Sequence, residues 1–436
     1  MLRHEDNELL VRVGRGTPMG SLLRQYWTPA VRAERLVADG APVRVRIMGS
    51  NFVAFRATDG RVGFLDEACP HRCASLALAR NEDNALRCIF HGWKIDVSGK
   101  VVDVPSEPAH RRGEFAAKIQ VNHYPVHEAG GIVWVYLGKE VTPPEFPHFE
   151  FMSLPSSHVN PVIGILHANW VQGFEALLDS AHAGILHQSW LKPKARLEHL
   201  EKTKVTGRSH NLSTVNTGPK FEFIPTPYGF RDCALRELPD GTYYARMRDV
   251  VLPYYAFSAR DAGLPCMLVA AVPIDDEWTA QWAIAYDPYL SPDFPKGPIE
   301  GTSGDPDNYC SDMGNVENLW HQDRTLMKEG HFTGISRCIP YEDFAVQESM
   351  GPIVDRSKEY LGTSDTIIIK ARRMLLKAVK DFEAGKPAFG LNGHVDYSQL
   401  RALAIQTPSK DDWKSLDPLR PPLPLGNVGS VTRVSP

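Results

Sequence analysis

Two short segments, each with one cysteine and one histidine, constrain this chain of 436 residues more than any other feature. Cys69 and His71 form the first pair, Cys88 and His91 form the second, and sixteen residues separate His71 from Cys88. Two thiolates and two imidazoles make either a Cys₂His₂ zinc site or a [2Fe–2S] cluster with two Cys on one iron and two His on the other. Zinc sites of this kind usually have their two histidines close together in the sequence, whereas here each segment carries one cysteine and one histidine. Each segment can therefore contact both irons of a cluster. The spacing therefore favours the cluster.

The other cysteines do not indicate a disulfide framework. The chain has seven cysteines, an odd number, and its first twenty residues lack the apolar core of a signal peptide. Cys73 lies close to the first pair, but the second segment has no further cysteine to bridge to it. We expect Cys73 to be a small buried thiol, neither a ligand nor half of a disulfide.

A second group of candidate ligands lies at residues 179–187. Asp179 and His182 are three residues apart, so a helix would place them on one face. His187 would lie about 140° away on a continuous helix, but Gly184 can end or distort the helix and let His187 return toward His182. Two histidines and one distant carboxylate form a facial triad that leaves positions open for O₂ on Fe(II). A histidine pair alone is more often structural; beside the first motif we interpret it as an iron site.

Together these motifs resemble the oxygenase (alpha) subunits of Rieske non-haem iron ring-hydroxylating oxygenases, and among them the phthalate-dioxygenase-like subgroup. The sequences Cys-Pro-His-Arg at 69–72 and Cys-x-x-His-Gly-Trp at 88–93 are similar to the Rieske signature. The resemblance covers nearly the whole chain and includes Gly-Thr-Pro-Met-Gly at 16–20, Gln-Tyr-Trp at 25–27 and Ser-Met-Gly-Pro at 349–352.

The resemblance implies the third iron ligand. In the family it is an aspartate within Glu-Asp-x4-Glu, which here spans residues 342–348 and identifies Asp343. Asp312 and Asp323 are the competing carboxylates.

The resemblance also implies a catalytic bridging role for Asp179. Family members look like head-to-tail trimers in which the electron crosses to the neighbouring chain's iron. Asp179 would hydrogen-bond His182 in its own chain and His91 of the next, as a carboxylate that fixes a metal-bound imidazole. Glu175 lies where relatives often have an acid or amide, and is equally well interpreted as a helix-surface charge.

The implied activity is hydroxylation of an aromatic carboxylate of phthalate or benzoate type, with O₂ and electrons from a reductase. Such a carboxylate favours arginine for bidentate pairing. The candidates are Arg208, Arg246 and Arg248, each of which is otherwise a surface charge. The aromatic residues at 253–257 either line the pocket or belong to the core.

The expected cofactors are a [2Fe–2S] Rieske cluster, a mononuclear Fe(II) and O₂. NAD(P)H is expected to act only indirectly, because the glycines at 14, 16 and 20 do not match the dinucleotide-binding fingerprint. A separate reductase with flavin and its own iron–sulfur centre is implied, as is a homotrimer or a hexamer of stacked trimers.

The sequence predicts an α+β chain of two domains. Residues 1–150 read as an all-β Rieske domain, in which Val43, Val45 and Ile47 alternate with arginines. Residues 151–436 read as a catalytic domain, an antiparallel sheet flanked by helices, after a Pro-rich bridge. Helices are expected at 169–183 and 365–383, and strands at 250–257, 267–272 and 278–286.

Composition restricts the remaining classes of function. A formal net charge of -4 without a basic block argues against nucleic-acid or membrane-surface binding. No apolar run reaches membrane-spanning length, so a cytoplasmic protein is expected. The alternatives are a Rieske monooxygenase or O-demethylase, a Rieske electron-transfer protein without oxygenase activity, and a zinc-stabilised binding protein.

Overall fold

A computed structural model describes residues 2–140, 142–191, 212–259, 265–288, 299–391, 393 and 395–415. Internal contacts divide the chain into a smaller unit, Val13–Phe146, and a larger unit formed by Met1–Arg12 and Pro147–Pro436. The larger unit begins with helix α1 (His4–Val11). The division falls within the Pro-rich bridge, where prolines remove backbone donors and disfavour regular structure. The assignment of residues 1–150 and 151–436 as functional domains stays a prediction.

The smaller unit is made of short antiparallel strands. In its described residues they form three sheets, with strand orders β1-β10-β9, β2-β3-β4 and β5-β6-β7-β8. The predicted all-β character is confirmed, with two short helices added. The elements are α2 (Pro18–Leu23), β1 (Thr28–Arg32), β2 (Val43–Ile47), β3 (Ser50–Arg56), β4 (Val62–Asp66), β5 (Arg80–Glu82), β6 (Ala85–Arg87), β7 (Lys94–Asp96), β8 (Val101–Asp103), α3 (Arg112–Ala116), β9 (Val126–Ala129) and β10 (Ile132–Val135).

Strand β2 shows why the sequence folds this way. Val43, Val45 and Ile47 are buried, while Arg44 and Arg46 are exposed. Successive side chains of a strand point to opposite faces, so the period-two pattern of the sequence gives one buried face and one solvated face.

The larger unit is built on one antiparallel sheet. In the described part of the chain eight strands form it, in the order β11-β17-β16-β15-β14-β13-β12, with β18 paired to β14. The predicted antiparallel sheet with helices is confirmed. The elements after α1 are β11 (Val159–Leu166), α4 (Trp170–Leu178), α5 (Gln188–Leu191), β12 (Lys220–Thr226), β13 (Gly229–Glu237), β14 (Tyr243–Val251), β15 (Tyr255–Phe257), β16 (Cys266–Pro273), β17 (Thr279–Tyr286), α6 (Arg324–Lys328), α7 (Ile339–Ser349), α8 (Thr366–Glu383) and β18 (Ala402–Thr407).

Helix α4 lies at the centre of this unit. It packs on β15, β16 and β17, and it also contacts α1, α7 and α8. Its buried residues include Trp170, Val171 and Phe174. A helix enclosed in this way is fixed along its length, so the residues that follow its C-terminal end have a defined starting point.

Five predicted elements can be compared directly with the structure. The strands expected at 267–272 and 278–286 are confirmed as β16 and β17. The helix expected at 365–383 is confirmed as α8. The helix expected at 169–183 is wrong at its C-terminal end, because α4 stops at Leu178 and a 3₁₀ turn covers His182–Gly184. The single strand expected at 250–257 is two strands, β14 and β15, separated at Leu252–Tyr254. None of the described helices is both long enough and apolar enough to cross a membrane.

Gly164 of β11 gives a test of the packing beside α7. A Cβ there would lie 2.6 Å from Tyr309 Cζ and 2.9 Å from Phe344 Cε2, and both rings are buried. We expect Gly164→Ala to lower the free energy of unfolding by about 2 kcal/mol, since an overpacked core must shift.

Gly173→Ala in α4 is the matched control. Its Cβ would meet Ala271 Cβ at an ordinary 3.4 Å, and alanine favours the helix by about 1 kcal/mol. Calorimetry of both variants checks the account, and equal unfolding temperatures would contradict it.

Candidate metal centres and active site

The two cluster-motif segments adopt the same turn. In the first, the N–H of Cys73 donates to the carbonyl of Cys69, and in the second the N–H of Gly92 donates to the carbonyl of Cys88, both at 2.9 Å. Cys73 and Gly92 both have left-handed φ angles, +58° and +76°. Cys73 is free and exposed. The prediction that it is buried is therefore wrong, because it occupies the outward end of a tight turn rather than the core.

Within the smaller unit the four motif side chains converge. Cys69 and Cys88 are buried and belong to its hydrophobic core. The rings of His71 and His91 lie 4.4 Å apart between centroids, and His71 stacks on Trp93 at 4.5 Å. Burial raises the pKa of the Cys69 thiol to about 11. A bound metal would hold it as the thiolate instead.

The imidazole nitrogens identify the kind of metal group that fits. Nδ1 of His71 and Nδ1 of His91 are buried and have no hydrogen-bond partner in the described part of the chain. No three ligand atoms of the four motif residues lie within 4.8 Å of one another, although all four residues are described. A single zinc ion would need such a set. A two-iron cluster spreads its ligands more widely, so these residues fit the cluster.

The second candidate centre is a compact group in the larger unit. His182, His187 and Asp343 each offer a ligand atom, and these atoms all lie within 4.8 Å of one another. Asp343 Oδ1 is 3.1 Å from His187 Nε2 and 3.5 Å from His182 Nε2. His187 is buried, whereas the His182 and Asp343 side chains are about a quarter exposed. Two imidazoles and one carboxylate with an open side fit a mononuclear iron.

Local backbone structure places the two histidines. Helix α4 ends at Leu178, the 3₁₀ turn carries His182, and His187 directly precedes α5. A Cβ on Gly184 would lie 2.3 Å from the carbonyl oxygen of Ser213. Glycine therefore allows the close approach of two backbones here, and the chain turns so that His187 faces His182, with ring centroids 5.1 Å apart.

Asp179 lies against the outer side of His182. Its Oδ2 is 3.5 Å from His182 Nδ1, and its Oδ1 accepts from the N–H groups of Ala181 and His182. Burial raises the pKa of Asp179, but His182 and these backbone donors outweigh burial and lower it. Asp179 is therefore held as a carboxylate beside a candidate ligand.

Sequence reasoning missed the role of Glu342. Its fully buried carboxylate lies 2.7 Å from His187 Nδ1 through Oε2, and it accepts from the Thr333 hydroxyl through Oε1. Such a carboxylate fixes the orientation of a metal-bound imidazole. The available signal was its place directly before Asp343 in the Glu-Asp-x4-Glu sequence.

The other carboxylates considered have different partners. Glu348, the last acid of the motif, accepts from the His167 N–H and from Trp320 Nε1. Asp312 pairs with Arg337 and accepts from the Tyr341 hydroxyl. Asp323 caps α6 by accepting from two backbone N–H groups.

Glu175 lies away from the candidate ligands. It forms ion pairs with Arg356 at 3.1 Å and Arg372 at 2.6 Å, and both arginines are buried. Arg372 also pairs with Glu359. Glu175 is thus neither a ligand neighbour nor a solvated surface charge, but part of a network that joins α4 to α8.

The candidate substrate arginines differ in their surroundings. Arg208 lies outside the described residues. Arg248 is buried and pairs with Asp232 at 2.8 Å. Arg246 is half-buried and donates to Ser213 Oγ at 3.3 Å and to the Ala259 carbonyl at 2.9 Å. Residues 253–257 are buried, and Tyr254, Tyr255 and Phe257 are core side chains.

Comparison with known proteins identifies the family. Residues 26–125 match the Rieske [2Fe-2S] domain, and residues 135–420 match the family described as LigXa C-terminal domain like. The chain is 38% identical over 424 residues to the phthalate 4,5-dioxygenase oxygenase subunit of Pseudomonas putida, covering 95% of this chain and 94% of that one. It is 35% identical to the 3-chlorobenzoate-3,4-dioxygenase oxygenase subunit of Comamonas testosteroni, with 94% and 96% covered.

A solved structure shows the same fold. The terminal oxygenase of carbazole 1,9a-dioxygenase from Novosphingobium sp. KA1 superposes with a TM-score of 0.56 at 17% identity, covering 89% of this chain and 99% of that one. The fold and the two metal-binding motifs define a Rieske oxygenase. This chain belongs to the Rieske non-haem iron oxygenases, as an oxygenase subunit, and the family uses a Rieske cluster, a mononuclear iron and O₂.

Glu342→Gln tests the brace on His187. We expect the affinity of the second centre for Fe(II) to fall about 10- to 100-fold, because the ring loses its ionised partner. Anaerobic iron titration of the full chain measures it. Glu348→Gln is the control on the same helix, since the described partners of Glu348 are the His167 N–H and Trp320 Nε1. An equal loss in both variants would contradict the orienting role.

Iron binding at the second centre should depend on pH. Burial lowers the pKa of His187, but Asp343 and Glu342 outweigh burial and raise it to about 9. Without metal, His187 therefore holds a proton at neutral pH, which Fe(II) must displace. We expect the apparent Fe(II) affinity to rise about tenfold per pH unit between pH 7 and 8.5. The opposite slope, or none, would show that His187 is not a protonated ligand in the metal-free site.

Proposed function

We propose that this chain is the oxygenase component that hydroxylates an aromatic carboxylate with O₂. In this proposal Cys69, His71, Cys88 and His91 hold the cluster, and His182, His187 and Asp343 hold Fe(II). The observation that carries it is the two-histidine, one-carboxylate group in the larger unit of a chain that also has a Rieske domain.

The chain's own residues would prepare the iron site. When bound, iron would supply the activation of O₂, and the cluster would supply electrons singly. Glu342 and Asp179 hold the outer nitrogens of His187 and His182, which leaves the inner nitrogens directed at Asp343. Three protein ligands leave coordination positions for O₂ and solvent.

Arg246 is the residue proposed to bind the substrate carboxylate. Its described acceptors are a hydroxyl and a carbonyl, both neutral, and its Nε is buried without a partner among the described residues. Ser213, which Arg246 contacts, lies against Gly184 in the turn that carries His182. A guanidinium that has no carboxylate partner in the described part of the chain, and that lies near the iron ligands, favours an anionic substrate.

The relatives support the same class of substrate. The names of the two relatives reported above specify phthalate and 3-chlorobenzoate, both ring carboxylates. For this chain we therefore propose a benzoate-type substrate. Arg208 remains a second candidate for its carboxylate. Arg248 was a third, but its pairing with Asp232 favours a structural role.

The proposed partners follow from the oxygenase role. A separate reductase with flavin and an iron–sulfur centre would take electrons from NAD(P)H and deliver them to the cluster. The proposal includes a homotrimer or a hexamer in which Asp179 of one chain faces His91 of the next. Sedimentation of the cluster-containing protein measures this assembly.

Turnover under ¹⁸O₂ tests the activity. The protein is supplied with a compatible reductase, NADH and a panel of phthalates and benzoates, and the products are analysed by mass spectrometry. Two labelled oxygens in the aromatic product indicate dioxygenation, and one indicates monooxygenation of the ring. A methoxybenzoate that gives an unlabelled phenol together with trapped ¹⁸O-formaldehyde indicates the O-demethylase alternative. Reduction of the cluster without any labelled product from the panel would contradict the proposed substrate class.

Arg246→Met tests carboxylate binding. We expect KM for the carboxylate substrate to rise about 30-fold with a smaller change in kcat, because a charge-assisted hydrogen bond contributes roughly 2 kcal/mol. Arg246→Lys keeps the charge and should restore part of the loss. The neutral amide of the same substrate is the control ligand. An unchanged KM for the carboxylate in Arg246→Met would exclude this residue.

A further inference from the structure

The C-terminal end of α4 presents an electrostatic problem. The last carbonyls of a helix have no partner within the helix, and the helix dipole places partial negative charge there. The residue at this end is Asp179, whose carboxylate adds a further negative charge. The backbone N–H groups of Ala181 and His182 donate to this carboxylate and not to the carbonyls of the last turn. The carbonyls need donors from elsewhere, preferably cationic ones.

Arg248 of β14 supplies two of these donors. Its Nη1 donates to the carbonyl of Leu177 and its Nη2 to the carbonyl of Leu178. Asp232 lies opposite Arg248 on β13 and accepts hydrogen bonds from its Nε at 2.8 Å and its Nη2 at 3.0 Å. The cross-strand ion pair therefore holds the guanidinium in position, and the guanidinium caps the helix.

Arg236 of β13 holds the next carbonyl. Its guanidinium is fully buried and donates to the Ser180 carbonyl, and at 2.9 Å to the Asn216 carbonyl. It has no ion-pair partner in the described part of the chain. Burial lowers the pKa of Arg236 to about 10, and nearby Asp179 acts in the opposite direction. Burying a guanidinium among neutral carbonyls costs free energy. Arg236 is not at the surface, where water would solvate its charge, so solvation does not explain its position.

The adjacent register position provides a natural comparison. Arg231 on β13 pairs with Asp249 on β14 through two hydrogen bonds of 2.8 Å. Alternate residues of a strand face opposite sides, so this pair faces away from the side of Asp232 and Arg248. Asp249 contacts the Tyr228 hydroxyl and the Arg401 N–H instead of α4. The sheet thus carries two similar ion pairs, one of which reaches the ligand-bearing segment.

We propose that Arg236 and Arg248, here called the arginine clamp, are positioning residues for the iron site. By holding the carbonyls of residues 177, 178 and 180, they fix the backbone from which Asp179 and His182 project. The clamp sets the affinity and geometry of the mononuclear centre without touching the metal or the substrate. This inference rests on the iron ligands proposed above.

The test uses full-length protein with its cluster in place and three variants, one single and two double. Arg236→Met removes one arm of the clamp. The double variant Asp232→Asn/Arg248→Met removes the other without leaving a buried unpaired carboxylate, which would itself be destabilising. The double variant Arg231→Met/Asp249→Asn is the matched control. The measurements are the Fe(II) dissociation constant, the ligand-field spectrum of Co(II) at the same site, and the unfolding temperature.

The clamp variants should bind Fe(II) about tenfold more weakly and show a changed Co(II) spectrum, with the cluster absorption retained. The control should lower the unfolding temperature while leaving both metal readouts as in wild type. Arg236→Lys, which keeps a cationic donor, should restore part of the affinity and serves if Arg236→Met does not fold.

Two results would overturn the inference. Folded clamp variants with wild-type affinity and spectrum would show that the arginines are structural only. Equal weakening in the matched control would show that general loss of stability explains the effect. A wild-type chain that binds no Fe(II) outside its cluster would instead overturn the proposed function, and this inference with it.

Discussion

The contact of His187 with two carboxylates is the interaction on which the candidate iron site depends. Glu342 and Asp343 are neighbours on α7, and they hold the two ring nitrogens of His187 from opposite sides. Because His187 follows the turn after α4, this contact joins α7 to the segment that carries His182. The two carboxylates raise the pKa of His187 to about 9. With iron bound, the metal would provide the positive charge on the Asp343 side.

The charged residues of strands β13 and β14 support the candidate iron site. On the face of β13 and β14 that carries Asp232, alternate positions also carry three arginines, Arg236, Arg246 and Arg248. Asp232 neutralises Arg248, and Arg236 is bound to carbonyls. In the part of the chain that the structure describes, Arg246 is the one of these three with neutral acceptors and an unused buried donor. One surface therefore provides two cations for structure and one that is proposed for the substrate.

The sequence could predict the features that depend on short spacing. The cluster motif places each cysteine within three residues of its histidine, and each tight turn follows from local backbone hydrogen bonds. His182 and His187 could be selected in the same way, since both lie in the short segment between α4 and α5. Asp343 required the resemblance to a family, because nothing local separates it from Asp312 or Asp323. The architecture and the family were predicted correctly because the resemblance covers nearly the whole chain.

What the sequence could not show depends on contacts between distant segments. The pairing of Asp232 with Arg248 is a matter of strand register, so Arg246 and Arg248 look equivalent before their neighbours are known. Glu342 acquires its role only when α7 meets the turn before α5. The end of α4 was misplaced because no proline or glycine marks Leu178, and donors from β14 satisfy its carbonyls instead of a local cap. The left-handed conformation that exposes Cys73 likewise has no signature in its residue type.

Iron content is the most direct test of the central claim that one chain holds two separate iron centres. Anaerobically reconstituted wild type and Asp343→Ala are compared, with electron paramagnetic resonance of the dithionite-reduced cluster recorded on the same samples. We expect about three irons per chain in wild type and about two in the variant, with the same reduced-cluster signal in both. About two irons in both proteins would contradict the mononuclear site, and a colourless zinc protein would contradict the account as a whole.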